Sequence, residues 1–115
     1  MGRMSRDKGK GGELEVRNLL RDHGFTEARR GQQYCGTAGD ADVVGLPGYH
    51  IEVKRVEKFN LWPSLDQAVR DAREDEVPVV FHRPSRRKWI VVLDADDFLN
   101  LVERASNGCK DQSVR

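Results

Sequence analysis

Little in this chain points to a membrane, a disulfide scaffold or a surface of one sign. Two cysteines, Cys35 and Cys109, stand among 115 residues. They lie far apart, in no metal-ligand spacing, so ordinary reduced thiols are expected. No apolar run approaches the roughly 18 residues of a membrane span. The basic, Gly-rich start lacks the apolar centre of a secretory signal, so a cytoplasmic protein is expected. Lys and Arg number 20 and Asp and Glu 19, a formal net charge of +1. At face value that argues against a nucleic-acid partner.

What is present suits one small α/β domain. Apolar residues are 37% by a strict count. With glycine added, that is an ordinary globular share and allows a modest core. Residues 1–11 read as a flexible basic arm, 12–104 as a single domain and 105–115 as a polar tail. A helix is expected from Gly12 to His23, with Val16, Leu19 and Leu20 on one face. A solvent-facing strand is expected within 25–34. Asp42 to Leu46 reads as a short buried strand, and Tyr49 to Val56 runs back as an alternating one. Between them Pro47 fixes φ at the first central turn position and Gly48 supplies positive φ at the second. Pro63 suits the first turn of a helix with Leu65, Ala68, Val69 and Ala72 as its stripe, ended by Arg73 to Glu76. Val77 to Phe81 and Trp89 to Leu93 are two further strands. Asp94 to Arg104 closes as an amphipathic helix with acids at its positive end. Trp62 and Trp89 are expected as core rings. His50 and His82 are singly placed and need no catalytic role. The expected order, α-β-β-β-α-β-β-α, is an α/β layer sandwich around a mixed five-stranded sheet.

The chemistry is concentrated in residues 39–54. Along the second strand of the hairpin, Tyr49, Ile51 and Val53 face one side and His50, Glu52 and Lys54 the other. Asp42 opens the partner strand, where a short turn brings its carboxylate beside Glu52. Two converging carboxylates repel unless a cation or a proton lies between them. Oxygen ligands with room for water suit Mg²⁺, with Mn²⁺ as a substitute. A lysine two residues on adds positive charge for water or a phosphate. Together these suit phosphodiester hydrolysis. Glu13 borders the apolar face of the first helix and can reach an adjoining site; Glu15 lies at the other border.

These residues resemble the PD-(D/E)xK nuclease superfamily, and within it the archaeal-type Holliday junction resolvases and their phage-encoded relatives. Lys8-Gly9 with Glu13, then Gly24-Phe25, is similar to that group's opening helix and its exit. Asp42-Val43-Val44 is similar to the motif aspartate and its strand, and Glu52-Val53-Lys54 to the E-x-K signature. The match covers residues 6–60; the second half agrees only in outline. The resemblance implies a restriction-endonuclease-like core and a Mg²⁺-dependent endodeoxyribonuclease. Asp42, Glu52 and the Val53 carbonyl would bind metal, Glu13 would assist, and Lys54 would orient water or phosphate as a cation. Gln67 is a site-facing candidate by resemblance, although a helical wheel sets it nearly opposite the apolar stripe. The usual proline before the motif aspartate is Ala41. The Asp40-Ala41-Asp42 doublet leaves two candidate ligands; Asp42 is preferred because the valines after it form the strand.

Basic residues are clustered. Lys8 and Lys10 lie on the arm, Arg29 and Arg30 on the first strand, Arg55 and Lys58 beside the signature, and Arg86 and Arg87 in a connection without acids. Such clusters suit phosphate contacts that position DNA without reading its sequence. The expected partner is branched or duplex DNA, bound by a homodimer, with no membrane and no small-molecule cofactor. A four-way junction is two-fold symmetric, which suits paired sites. Acting on flaps, ends or invading DNA, or binding without cutting, are the alternatives.

Overall fold

The computed structural model describes residues 2–32 and 41–112, with side chains over 9–32 and 41–107. In chain order the elements are α1 (Gly2–Asp22), β1 (Arg29–Arg30), β2 (Val43–Val44), β3 (Tyr49–Lys54), α2 (Leu61–Asp71), β4 (Val77–His82), β5 (Ile90–Val92) and α3 (Ala95–Gln112). The strands form one mixed five-stranded sheet in the order β1-β2-β3-β4-β5. Every pairing is antiparallel except β3 with β4. A parallel step needs a crossover, and α2 supplies it. The α/β class and the element order agree with the sequence reading.

Residue alternation sorts β3 between two faces. Ile51 and Val53 join Val16, Leu20, Ala28, Val43, Val79 and Phe81 in the core beneath α1. The opposite face packs on α2 through a smaller cluster, Leu65, Ala68 and Val80. The turn before β3 forms as its residues demand. Tyr49 N donates to the Leu46 carbonyl at 3.2 Å, and Gly48 takes φ +85°.

Gly12 explains how α1 sits on the sheet. A Cβ there would stand 2.6 Å from Arg55 Cβ and 3.4 Å from Val53 Cγ1. Only hydrogen fits, so the helix backbone crosses close over the end of β3. Glu13 follows directly on that crossing.

Several boundaries differ from expectation. Helix α1 begins at Gly2 rather than Gly12, so residues 2–11, expected as a flexible arm, are helical. Once a helix is nucleated, each added residue gains a hydrogen bond, and glycines within it cost only about 1 kcal/mol each. Among the described residues of the stretch 25–34, the strand covers Arg29–Arg30. Helix α2 ends at Asp71, where Ala72 turns to extended backbone. Helix α3 runs on to Gln112, into the segment expected as a tail. It starts at a side-chain cap: Asp94 Oδ1 accepts from Asp97 N at 3.0 Å. Trp62 and Val69, expected in the core, are 69% and 55% exposed. Phe98, Leu99 and Val102 on α3 are also exposed. No helix among the described residues is long and apolar enough to cross a membrane.

Candidate active site

The site forms where β2 has ended and β3 continues. Val43 pairs with Ile51, and Asp42 N donates to the Ile51 carbonyl at 3.0 Å. Strand edges alternate, so Val53 turns its N–H and C=O to the same edge as Ile51. There Val53 N donates to Asp42 Oδ2 at 2.8 Å. Asp42, the Val53 backbone and the adjacent Glu52 are thus held together by register and one hydrogen bond. Asp40, the other candidate ligand, lies outside the described residues.

Asp42 and Glu52 are hydrogen-bonded partners with opposite titrations. Burial, then the Glu52 charge, pushes the Asp42 carboxyl up to about 7, against the Val53 amide, which lowers it. Burial also raises Glu52, but the hydrogen bonds from His50 and Asp42 and the charges of His50 and Lys54 outweigh it. The net result lies below the usual carboxylate range. Of the two carboxyls, Asp42 therefore keeps its proton more readily than Glu52. Two converging carboxyls, Glu52 buried and Asp42 half-buried, offer hard oxygen atoms of the kind a divalent cation takes.

His50 was given no role by its sequence position. In the fold its Nε2 lies 2.8 Å from Glu52 Oε1, with both side chains 6% exposed. Its Nδ1 lies 3.8 Å from Glu76 Oε1. The Glu52 hydrogen bond raises the His50 pKa against the opposing effect of burial; the Glu52, Glu76 and Asp71 charges add to the rise. His50, Glu52 and Asp71 also offer ligand atoms all within 4.8 Å of one another. Glu13 does not join Asp42 and Glu52 at that range. Its carboxylate pairs with Arg30 Nε at 2.9 Å, and its charge still reaches Asp42.

Lys54 Nζ donates to Gln67 Oε1 at 3.3 Å, which brings Gln67 to the site. The helical wheel misplaced Gln67 because it counted Val69 as buried. Ser64, Leu65 and Ala68 are the buried residues of α2, and exchanging Val69 for Ser64 turns that face toward Gln67.

The basic candidates divide into free and committed groups. Arg55 Nε lies 3.9 Å from Glu15 Oε2 and its Nη1 3.6 Å from Glu57 Oε2. Glu15 also accepts from Arg83 and from Trp89 Nε1. Arg55 therefore braces the chain rather than facing solvent. Arg30 is engaged by Glu13, and Arg29 Nη1 donates to the Arg30 carbonyl at 3.3 Å. Lys10, Lys58, Arg86 and Arg87 are exposed. The Lys8 side chain lies outside the described residues.

Asp42, Glu52 and Val53, with Lys54 and Gln67 beside them, are therefore one constellation. Glu13 stands at its margin, and His50 backs it from the α2 side. No family model, curated protein or solved structure matches the chain.

Proposed function

We propose that this protein is a metal-dependent DNA endonuclease of the PD-(D/E)xK type, with a restriction-endonuclease-like core, acting on branched DNA as a junction resolvase. The reading is carried by one observation: Val53 N donates to Asp42 Oδ2 at 2.8 Å, which sets the half-buried Asp42 carboxyl beside the buried Glu52, with Lys54 on the same strand face. Asp42, Glu52 and the Val53 carbonyl would hold Mg²⁺, with Mn²⁺ able to substitute. Glu13 contributes from outside that set through its charge. A bound divalent cation supplies a water of lowered pKa and offsets charge on the phosphoryl transition state. Lys54, steadied by Gln67, aligns a phosphate oxygen or the attacking water. His50 holds Glu52 in one orientation, as partners behind metal ligands commonly do. The reaction adds water to phosphorus and breaks one P–O ester bond, leaving a phosphate end and a hydroxyl end.

Exposed Lys10, Lys58, Arg86 and Arg87 support a sequence-independent phosphate contact. Two-fold symmetric junctions call for a homodimer, and light scattering would show a doubled mass.

The deciding experiment incubates the protein with labelled four-way junction, flap and linear duplex, in Mg²⁺ or EDTA. Paired nicks near the junction that need Mg²⁺ are expected. Asp42→Asn should lower cutting at least about a thousand-fold and leave junction binding intact. Absence of Mg²⁺-dependent cutting on every substrate would remove the nuclease reading.

A further inference from the structure

The connection between β4 and β5 carries a feature that the site does not use. A cleft of about 510 Å³ opens there, lined by His82, Pro84, Arg86, Arg87, Lys88 and Ile90. Its size falls in the range of small-molecule clefts, roughly 300–1,000 Å³. Three of its lining residues are cations, and Ile90 is an apolar residue 53% exposed. Among the described residues, no carboxylate pairs with Arg86, Arg87 or Lys88.

The turn that presents these cations is held in place. The Glu57 carboxylate accepts from Ser85 N at 2.9 Å and from Ser85 Oγ at 2.8 Å. Arg83 Nε donates to the Arg87 carbonyl, and its Nη1 pairs with Glu15. Arg86 itself has φ +64°, in the left-handed region that glycine would occupy without strain. An arginine therefore stands where local backbone energy favours glycine.

The cleft is also joined to the motif strand. His82 pairs with Lys54 in the β3–β4 ladder, and its Nδ1 lies 2.9 Å from the Lys54 carbonyl. A carbonyl only accepts, so Nδ1 carries the hydrogen. The His82 ring stacks on Phe59 with centroids 4.0 Å apart and planes 13° apart. One wall of the cleft is thus fixed to the residue that positions the reacting phosphate.

We propose that this cleft receives a single unpaired nucleotide of DNA, with its phosphates on Arg86, Arg87 and Lys88 and its base against Pro84 and Ile90. Clustered cations select a polyanion, and an apolar wall beside them selects one that can offer a flat base. Paired duplex offers phosphates but keeps its bases stacked. The inference rests on the nuclease reading of Asp42, Glu52 and Lys54, and it names the substrate class: DNA with a nucleotide released from stacking at a branch, bulge or flap.

Binding is measured in EDTA, so that no cutting intervenes. The probes are a labelled duplex and the same duplex with a one-nucleotide bulge or a short flap carrying 2-aminopurine. Bulged or flapped DNA should bind about 10-fold tighter than duplex. The 2-aminopurine emission should rise as the base leaves its stack. Ile90→Ser and Ile90→Glu, checked for folding by circular dichroism, should remove both effects; Ile90→Ser should keep duplex affinity within about 2-fold. Arg86→Gly relaxes the backbone, so its Tm should hold or rise while affinity for every probe falls about 5-fold. Equal affinity for duplex and bulged DNA, or an Ile90→Ser protein with unchanged preference, would overturn the proposal. A preference shown by wild-type protein that cuts no substrate in Mg²⁺ supports the cleft and removes the nuclease reading instead.

Discussion

On the α1 side of the sheet, Val16, Leu20, Val43, Ile51, Val53, Val79 and Phe81 make an apolar core. On the α2 side, Leu65, Ala68 and Val80 are the buried apolar residues, and His50, Glu52, Ser64 and His82 are buried beside them. Strands β3 and β4 each serve both faces with alternate residues. Where aliphatic side chains interlock, burial gains free energy without conditions, roughly 1.5–3 kcal/mol per large side chain. Where ionisable groups are buried, each needs a partner, and the gain depends on pH and on bound ions. One face stabilises the fold; the other carries groups that are costly to bury.

Substitutions at Ile51 in β3 and at Asp42, just before β2, would test this contrast most sharply. Ile51→Ala should cost roughly 2–5 kcal/mol in urea denaturation. Asp42→Asn should cost nothing at pH 8 and should raise stability, because it removes a carboxylate that burial and Glu52 disfavour in its charged form. An Asp42→Asn protein as unstable as Ile51→Ala would show that the two faces do not differ in kind.

The pH profile gives the next effect. Asp42 has a folded pKa of about 7 against an ordinary 3.8. The folded state therefore binds more protons between those values, and metal-free stability falls as pH rises through that window. His50 acts in the same direction: its raised pKa contributes stability below 6.5 that is lost as pH rises through the folded value. Glu52 acts oppositely, its contribution being present above 4.5 and lost as pH falls through its lowered pKa. Metal-free protein should thus be most stable in mildly acidic solution. Mg²⁺ should move that optimum above pH 7, as Tm measured across pH in EDTA or Mg²⁺ would show. A Tm profile unaffected by Mg²⁺ would count against a cation at the pair.

The smallest effects lie along α1. Gly12→Ala drives a methyl into Arg55 Cβ and should cost about 1–3 kcal/mol. Gly9→Ala meets nothing within 4 Å and should gain about 0.5–1 kcal/mol of stability. Thermal melts of the two variants should move in opposite directions.

Local chemistry was legible in the sequence. Pro47-Gly48 specified its turn, and alternation placed His50, Glu52 and Lys54 on one face. The hairpin brought Asp42 to Glu52 as expected. Contacts between distant elements were not legible. That Glu76 stands behind His50 depends on where the chain re-enters the sheet at β4. Arg55 looked like a phosphate contact because its neighbours are basic; Glu15, on another element, claims it. Gln67 was found by resemblance and missed by the wheel, because exposed valines weigh the same as buried ones in a sequence pattern. The +1 net charge sums committed arginines such as Arg55 with free cations such as Arg86, so it says little about partners.

The raised Asp42 pKa has a last consequence for the proposed cation site. A divalent cation bound there would displace the Asp42 proton, so loading would be an exchange rather than a simple addition. Apparent cation affinity would then weaken up to about tenfold for each pH unit below 7. Calorimetry in buffers of different ionisation enthalpy would register the expelled proton directly. Acidification would empty the site while the aliphatic face kept the fold intact.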